Sequence, residues 1–303
     1  MANKVNSFHA SDYLQNGTKV VFFGNLNKVQ IFVEMVFKDK VIWITGASSG
    51  IGEHLAYALA EQGAKLILSS RNEKELNRVK HNCHTTNEIL VLPLDVSDFE
   101  SLPKKTAQAV AHFGVIHILI NNAGVSQRAL AADTRFEVDQ TIIHVNYLGQ
   151  VALTKSVLPY MLAQGFGHLV VISSVTGKLG LPYRSAYAAS KHALHGYFDA
   201  LRLELAEVPI PVTIICPGYV HTNVTINALQ GDGSRYNRVA ATNRQGMDPT
   251  LFARKVLRAI AARRREVLIG GRELLAVYAK RFWPWFLYMV LRRMDFSSAR
   301  RGR

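Results

Sequence analysis

Short, unbroken apolar runs alternate with longer amphipathic segments along most of this chain. Seven runs are rich in Val, Ile and Leu with little polar alternation, which is typical of strands covered on both faces. They span residues 40–45, 65–69, 89–94, 116–120, 168–172, 212–215 and 267–269. Helical segments lie between them, the last one starting at Asp248 and Pro249 with an N-cap and a first-turn proline. This alternation predicts a parallel sheet with helices on both faces.

The pattern predicts an α/β fold, in which a single domain is built as a doubly wound parallel seven-stranded sheet of the Rossmann type. The chain has 303 residues that are 49% hydrophobic, which suits one large core. We expect an N-terminal extension over residues 1–38, the Rossmann domain over 39–271 and a basic, aromatic tail over 272–303. Met35 directly precedes the first strand. Residues 1–34 are therefore interpreted as a mis-assigned start or a poorly ordered extension.

The formal net charge of +14 is concentrated at one end of the chain. Residues 251–303 contain 14 Lys and Arg against three acids, so this part carries +11. A nucleic-acid binder more often spreads its basic residues over one face with stacking aromatics between them, so we predict no nucleic-acid partner. Cys83 and Cys216 stand far apart, in no metal-ligand spacing, and no signal peptide is evident. We therefore expect a cytoplasmic protein.

The tail contains the apolar and aromatic run LLAVYAKRFWPWFLYMVL at residues 274–291. Lys280 and Arg281 interrupt it, and each central Lys or Arg costs about 2.5–3.5 kcal/mol in a membrane span. An orientation in the plane of a membrane surface is the better interpretation, with Arg292 and Arg293 facing anionic headgroups. We predict a peripheral membrane contact through residues 274–293. Packing on the domain or across a dimer interface is the alternative.

The sequence TGASSGIG at residues 45–52 follows the first strand and opens the first helix. Gly46 permits a tight turn, Gly50 lets the backbone approach a pyrophosphate, and Gly52 allows close packing of helix and strand. The helix N-terminus favours the anion. The spacing G-x-x-x-G-x-G differs from the commoner dinucleotide fingerprint. The competing interpretation is that these glycines merely end a strand.

About 20 residues further on, an acidic side chain would bind the ribose 2′-hydroxyl of NAD. The chain instead reads Ser69, Ser70 and Arg71 at this point. The planar, permanently charged guanidinium of Arg71 suits a 2′-phosphate, so we predict NADP(H) as the cofactor. The alternative is a solvated arginine at a helix entrance.

Tyr187 and Lys191 stand at positions i and i+4 of a predicted helix, in the run YAASK at 187–191. An ammonium about 4 Å from a phenol contributes about 4 kcal/mol at an effective dielectric of about 20. That is the amount needed to lower the Tyr pKa from about 10 to about 7. The pair alone is a common coincidence, and it gains weight from the motifs that precede it.

Several ordered motifs resemble those of the short-chain dehydrogenase/reductase superfamily over residues 39–270. They are TGASSGIG at 45–52, LDV at 94–96, NNAG at 121–124, Asn146, Ser174, YAASK at 187–191 and PG at 217–218. Within the superfamily the chain resembles NADP(H)-using members related to 11-beta-hydroxysteroid dehydrogenase and to the dehydrogenase/reductase 7B type. The resemblance implies a small-molecule substrate and a homo-oligomer.

The resemblance also implies a catalytic set of four residues. Tyr187 would protonate the carbonyl oxygen, and Ser174 would hydrogen-bond the same atom. Lys191 would hold the nicotinamide ribose and lower the Tyr187 pKa, while Asn146 would anchor a water. Ser173 competes for the serine role, but neighbouring strand-end positions face opposite ways and the family spacing selects Ser174.

Cofactor contacts follow from the glycine turn, from Arg71 and from the resemblance. The residues are Gly46, Ser48, Ser49, Gly50, Ile51, Gly52, Arg71, Asp95, Val96, Asn122, Ala123, Gly124, Tyr187, Lys191, Pro217, Gly218, Val220 and Thr222. By resemblance, Asp95 and Val96 line the adenine pocket and Thr222 contacts the nicotinamide carboxamide. Asp95 has a second interpretation as a cap near Ser97, and the NNAG run as an ordinary turn.

Two further regions bear on the substrate and on metals. Residues 223–247 suit a substrate lid, the alternative being a disordered surface loop, and Tyr183 is expected to line the substrate pocket. His192 and His195 share a helix face without a third ligand, so we predict no metal. The predicted function is NADP(H)-dependent hydride transfer to or from a carbonyl or secondary alcohol of an apolar substrate. The alternative is a catalytically silent cofactor-binding regulatory or scaffold protein.

Overall fold

The computed structural model describes residues 36–84, 87–222, 226–237 and 246–293. Its seven strands form one parallel sheet in the order β3-β2-β1-β4-β5-β6-β7. The strands are β1 (Val41–Thr45), β2 (Lys65–Ser69), β3 (Ile89–Val91), β4 (Ile118–Asn121), β5 (Leu169–Ile172), β6 (Val212–Pro217) and β7 (Glu266–Ile269). Each strand overlaps one of the seven apolar runs, so the predicted doubly wound fold is confirmed.

Helices cover both faces of this sheet. The helices of the described residues, including α8 and α9 of the tail, are α1 (Gly50–Glu61), α2 (Glu73–Asn82), α3 (Leu102–Phe113), α4 (Phe136–Ile143), α5 (Gly149–Gln164), α6 (Ser185–Glu204), α7 (Pro249–Ala261), α8 (Leu274–Phe282) and α9 (Pro284–Arg293). Successive residues of β1 serve opposite faces, since side chains alternate along a strand. Ile42 and Ile44 pack in the cluster that includes α1, α2 and α7, whereas Val41 and Trp43 pack in the cluster with α3, α5 and α6.

The strand order reverses between β1 and β4. The chain builds outward from β1 through β2 to β3, then returns to place β4 on the other side of β1. The loops that leave the carboxyl ends of β1 and β4 therefore part in opposite directions. In sheets of this kind the resulting crevice is where ligands bind.

One predicted strand is longer than the strand that the structure assigns, although its hydrogen bonds continue. β3 was expected to run to residue 94, and the structure ends it at Val91. The Leu92 amide still donates to the Leu68 carbonyl and the Leu94 amide to the Ser70 carbonyl. Pro93 lies between them on an edge strand, so its missing N–H faces the open edge and removes no hydrogen bond to the β2 side.

The start of α7 is as predicted. The Asp248 side chain accepts a hydrogen bond from the Leu251 amide at 2.9 Å, and Pro249 occupies the first turn. Asp248 thereby satisfies one of the amides that a helix N-terminus leaves without an intrahelical partner.

The tail forms two consecutive helices, α8 and α9, in which Leu287 is the one buried residue. No helix in the described ranges is long and apolar enough to cross a membrane. Residues 1–35 and 294–303, and positions 223–225 and 238–245 of the predicted lid, lie outside the described residues. The expectations for the N-terminal extension, the lid and the domain boundaries stay predictions.

Candidate active site

A cleft of about 490 Å³ opens at the carboxyl ends of the central strands. Its wall follows the loops that leave β1, β2, β4, β5 and β6. Of the predicted site residues, all but two line this cleft. They are Gly46, Ser48, Ser49, Gly50, Ile51, Arg71, Asp95, Val96, Asn122, Ala123, Gly124, Ser174, Tyr187, Lys191, Pro217, Gly218, Val220 and Thr222. The two exceptions, Gly52 and Asn146, lie behind the wall and support it.

The glycine turn brings the backbone close to the loop after β4. Gly46 has a φ of +65°, and a Cβ there would lie 2.9 Å from the Ala123 Cα. The Asn122 side chain ties the two loops together by donating to the Thr45 and Gly46 carbonyls at 2.9 and 3.2 Å. A Cβ on Gly52 would collide with the Gly46 carbonyl, which explains why this position supports the turn instead of lining the cleft.

The N-terminus of α1 is open toward the cleft. Ser49 occupies the N-cap position, and its side chain makes no capping hydrogen bond within the described residues. The hydroxyl and the first amides of α1 are therefore available to an anion, which is the arrangement that binds a pyrophosphate. The site fits a nicotinamide dinucleotide in this respect.

Arg71 stands at the mouth of the other branch of the cleft. Its side chain is 66% exposed, and its Nη1 lies 3.7 Å from the Asp95 carboxylate. Asp95 also accepts hydrogen bonds from the Ser97 amide and hydroxyl at 2.9 and 2.6 Å, so it caps that turn as well as lining the cleft. Glu75, which no sequence motif marks, lines this branch too, with its carboxylate 2.7 Å from the Arg78 Nε.

Lys191 is buried at the inner end of the cleft. It is 4% exposed, and its ammonium donates to the Ile172 carbonyl at 2.8 Å. Burial lowers the pKa of Lys191 to about 8. The Nζ atom lies 5.9 Å from the centroid of the Tyr187 ring.

Tyr187 differs from the expectation in its pKa. Burial raises the pKa of Tyr187, and the Arg184 cation and a hydrogen bond with Ser174 offset part of this rise. Burial outweighs the lowering of this pKa that was expected from Lys191, and that contribution of Lys191 stays a prediction. The Lys191 ammonium is held by the Ile172 carbonyl, and desolvation of the phenolate is the larger effect.

The two adjacent serines after β5 face different partners. The Ser174 hydroxyl oxygen accepts from the Thr176 amide at 3.1 Å and from the Thr176 hydroxyl at 2.9 Å. Its own proton is not used by Thr176 and serves the hydrogen bond with Tyr187 in the cleft. Ser173 instead donates to the Lys191 carbonyl at 3.2 Å and lies 3.0 Å from His195 Nε2. The geometry favours Ser174 for the catalytic role.

Asn146 lies in a π-helical turn, His144–Leu148, between α4 and α5. Its amide is fully buried, accepts from the Val125 amide at 2.7 Å and donates to the Val125 carbonyl and the Ser190 hydroxyl at 2.9 and 3.0 Å. Single π-turns of this kind occur frequently at functional sites. Asn146 positions the loop after β4 against α6, and the proposed water contact stays a prediction.

Sequence reasoning missed several residues at the inner end of the cleft, near Tyr187 and Lys191. The Gln127 Oε1 accepts from the Ala186 and Tyr187 amides at 2.9 and 3.3 Å, and so satisfies the N-terminus of the helix that carries Tyr187. Further lining residues there are Ser126, Arg184, Tyr219, Asn227, Leu229 and Arg235. Tyr183, which was expected to line the pocket, is not among them. No sequence motif marks these residues, because they lie in separate loops that only the fold brings together.

The argument against a metal assumed that no third ligand lies near His195, and the structure shows that this assumption is wrong. β6 and β7 bring Cys216 and Glu266 to His195, with one ligand atom from each lying within 4.8 Å of the others. The Cys216 thiol holds its proton because burial raises its pKa to about 12. The Glu266 carboxylate lies 2.7 Å from the Lys178 ammonium. This chemistry favours a polar network over a metal site, and the predicted lack of a metal stays a prediction.

The family model described as short chain dehydrogenase matches residues 40–232. The chain belongs to the short-chain dehydrogenase family. A curated relative, dehydrogenase/reductase SDR family member 7B of Danio rerio, is 39% identical over 84% of this chain and 85% of its own length. The resemblance noted from the motifs is therefore confirmed, and a dehydrogenase/reductase function is supported.

Solved structures of this family share the fold. A short-chain dehydrogenase/reductase from Burkholderia phymatum in complex with NAD is 27% identical, with a TM-score of 0.73, over 81% of this chain and 94% of that one. An alcohol dehydrogenase from Thermococcus sibiricus complexed with 5-hydroxy-NADP is 25% identical, with a TM-score of 0.67, over 78% and 97% of the two chains. Family members of this fold thus include complexes with either type of nicotinamide cofactor.

The lowered pKa of Lys191 gives a pH-dependent expectation for this short-chain dehydrogenase. Protonated Lys191 prevails below its pKa of about 8 and the neutral amine above it. We expect kcat/KM for carbonyl reduction to fall above about pH 8, as measured from initial rates between about pH 6 and pH 10. The residual activity of Lys191→Arg should lack this fall, because a guanidinium stays protonated. A fall with the same midpoint in Lys191→Arg would assign it to another group.

Proposed function

We propose that this protein is an NADP(H)-dependent oxidoreductase that transfers a hydride between nicotinamide and a carbonyl or secondary alcohol of an apolar substrate. One observation carries the proposal. A single cleft has the open helix N-terminus and Arg71 in one part, and the buried Ser174 and Lys191 with the partly buried Tyr187 in another. The bound cofactor would supply the hydride.

The chain's own residues supply and place the proton. Tyr187 stays a neutral acid at physiological pH because burial raises its pKa. In the direction of reduction it donates this proton to the carbonyl oxygen, where negative charge develops. The Ser174 hydroxyl, fixed by Thr176, donates a hydrogen bond to the same oxygen. Lys191 would hold the nicotinamide ribose hydroxyls.

The wall beside these residues suits an apolar substrate. Val125, Val145, Ile172 and Leu229 line the inner end of the cleft. Such side chains favour burial of an apolar body and keep water away from the developing charge. The alternative of a catalytically silent protein loses support because the proton donor and its supporting groups converge on one cleft.

Removal of the Tyr187 hydroxyl tests the proposed reaction. General acid–base catalysis contributes about 10²- to 10⁴-fold, so Tyr187→Phe should lower kcat by at least about 10²-fold. NADPH binding, followed by quenching of protein fluorescence, should change little. The matched control is Tyr183→Phe, in the turn that precedes α6 and not among the residues that line the cleft, which should keep near-normal turnover. Turnover of Tyr187→Phe close to that of the unaltered protein would overturn the assignment.

The preference for NADP(H) rests on Arg71. It directly follows Ser70 after β2, is exposed and lies at 3.7 Å from Asp95, beyond hydrogen-bond distance. The guanidinium can therefore turn to a 2′-phosphate without losing a strong partner. Glu75, the nearest further acid of this branch, is engaged by Arg78.

Replacement of Arg71 should change the cofactor preference. A hydrogen bond to a charged group contributes about 1.5–3 kcal/mol, so Arg71→Ala should raise the KM for NADPH about tenfold or more. The KM for NADH should change little, because NADH has no 2′-phosphate. Arg71→Lys keeps the charge but loses the planar fork, so its KM for NADPH should lie between those of the unaltered protein and Arg71→Ala. Equal or better use of NADH by the unaltered protein would contradict the proposal.

The tail helices offer a surface for a membrane. We define the tail surface as the exposed aromatic and apolar side chains of α8 and α9 with the basic residues beside them. These are Leu275, Tyr278, Lys280, Arg281, Phe282, Trp283, Trp285, Phe286, Tyr288, Arg292 and Arg293. Its charge and its aromatic content match the interface of an anionic membrane. We propose that the tail surface lies on such a membrane.

Vesicle binding tests the tail surface. The protein should sediment with vesicles that contain phosphatidylserine and much less with neutral vesicles, and salt should weaken this binding. Phe282→Ser with Trp285→Ser should abolish it, because these side chains are 65% and 72% exposed. Leu203→Ser, an exposed apolar residue on α6, is the matched control and should bind normally. Light scattering shows whether the double variant has instead lost a homo-oligomer. In that case the tail surface binds a second copy of the chain.

A further inference from the structure

Arg128 is a partly buried cation, and two of its three guanidinium nitrogens have no hydrogen-bond partner among the described residues. It lies in the loop after β4, where its amide donates to the Leu229 carbonyl at 2.8 Å. The Nε and Nη2 atoms of its guanidinium are inaccessible to solvent and have no hydrogen-bond partner in the part of the chain that the structure describes. Arg184, Tyr219 and Tyr236 are close enough to interact with it electrostatically. Arg128 therefore stands directly behind the inner end of the cleft.

This situation is costly and rare. Buried polar groups in proteins are nearly always hydrogen-bonded, and a buried charge is normally paired. Burial and the neighbouring Arg184 together lower the pKa of Arg128 to about 10, which still leaves it charged at neutral pH. No carboxylate among the described residues neutralises this charge, so Arg128 adds positive potential behind the cleft and favours an anion in it.

The surrounding charges have the same sign. Arg184 and Arg235 line this end of the cleft, and neither forms an ion pair with a carboxylate among the described residues. The acids in the cleft wall, Glu75 and Asp95, belong to the Arg71 branch.

The loop beside this end supplies no carboxylate that could pair with these arginines. Between residues 219 and 247 the sequence contains one acid, Asp232. The carboxylate of Asp232 accepts from the Ser234 amide and hydroxyl at 2.9 and 2.7 Å. The inner end of the cleft is therefore a cationic pocket beside an apolar wall.

The cofactor does not account for these charges. Its pyrophosphate and 2′-phosphate would be bound by the N-terminus of α1 and by Arg71, in the other part of the cleft. Arg184 instead acts on both Tyr187 and Arg128, so the cations lie on the side of the proton donor. They are positioned for the substrate.

We propose that the substrate carries an anionic group, a carboxylate or a phosphate, close to the reacting carbonyl, and that Arg184 and Arg235 bind this group with Arg128 behind them. The inference rests on the proposed function and adds to it a substrate class. The substrate would be an apolar ketone or secondary alcohol with an acidic end. Arginine suits this role because its planar fork matches carboxylate and phosphate oxygens.

The test compares probes that differ only in this group. They are a γ-keto fatty acid, its methyl ester, and the phosphate monoester of the matching keto alcohol. With NADPH, kcat/KM for an anionic probe should exceed that for the ester about tenfold or more, the effect of one charge-assisted contact. The relative rates of the carboxylate and phosphate probes identify the anion. In Arg128→Met, which lies behind the cleft wall, the preference should disappear while the ester is still reduced.

A binding measurement keeps the test independent of turnover and of folding. Because Arg128 is unpaired, Arg128→Met should raise the Tm of the protein alone. The keto acid should raise the Tm of the unaltered protein and of Arg254→Met, an exposed arginine of α7, but not that of Arg128→Met. Reduction of the ester at the same efficiency as both anions would overturn the anionic substrate and leave the proposed function intact. An equal Tm rise by the keto acid in Arg128→Met would also overturn the anionic substrate. If the keto acid raises the Tm selectively but no probe is turned over, the proposed reaction is rejected and the anion site is kept.

Discussion

The hydrogen bond from the buried Lys191 ammonium to the Ile172 carbonyl ties helix α6 to the carboxyl end of β5. Ser173 makes a second connection by donating to the Lys191 carbonyl. These two bonds fix where α6 lies relative to the strand end, and with it the separation of Ser174 and Tyr187. Because a buried ammonium must keep an acceptor, this contact constrains the helix more strongly than apolar packing does.

The rest of the site is a set of buried polar groups that hold loops in place. Asn146 is saturated by Val125 and Ser190, and Gln127 satisfies the amides at the start of α6. Each contact joins segments that are distant along the chain. The cleft thus keeps its shape through interactions that cost free energy if one partner is lost. Arg128 departs from this rule, and for that reason its surroundings bear on the substrate.

Much of this arrangement could be predicted from the sequence because its signals are local. A glycine turn between strand and helix, a Tyr and a Lys one turn apart, and an arginine after the second strand all depend on neighbours in the chain. The bounds of an element are less well predicted, since β3 ends at Val91 while the apolar run and its hydrogen bonds continue to residue 94. The pKa of Tyr187 was predicted in the wrong direction because helix spacing says nothing of burial or of the Ile172 carbonyl.

The sequence by itself determined the order of strands and helices, the family and the candidate proton donor, because periodicity and motif spacing act over a few residues. Only the tertiary structure decided which groups are buried and what they contact. It placed Cys216 and Glu266 beside His195, engaged Ser173 with His195 and the Lys191 carbonyl, and left two guanidinium nitrogens of Arg128 without a partner among the described residues. The physical reason is that desolvation and electrostatic interactions depend on distance in space, and the packing of the whole domain sets those distances.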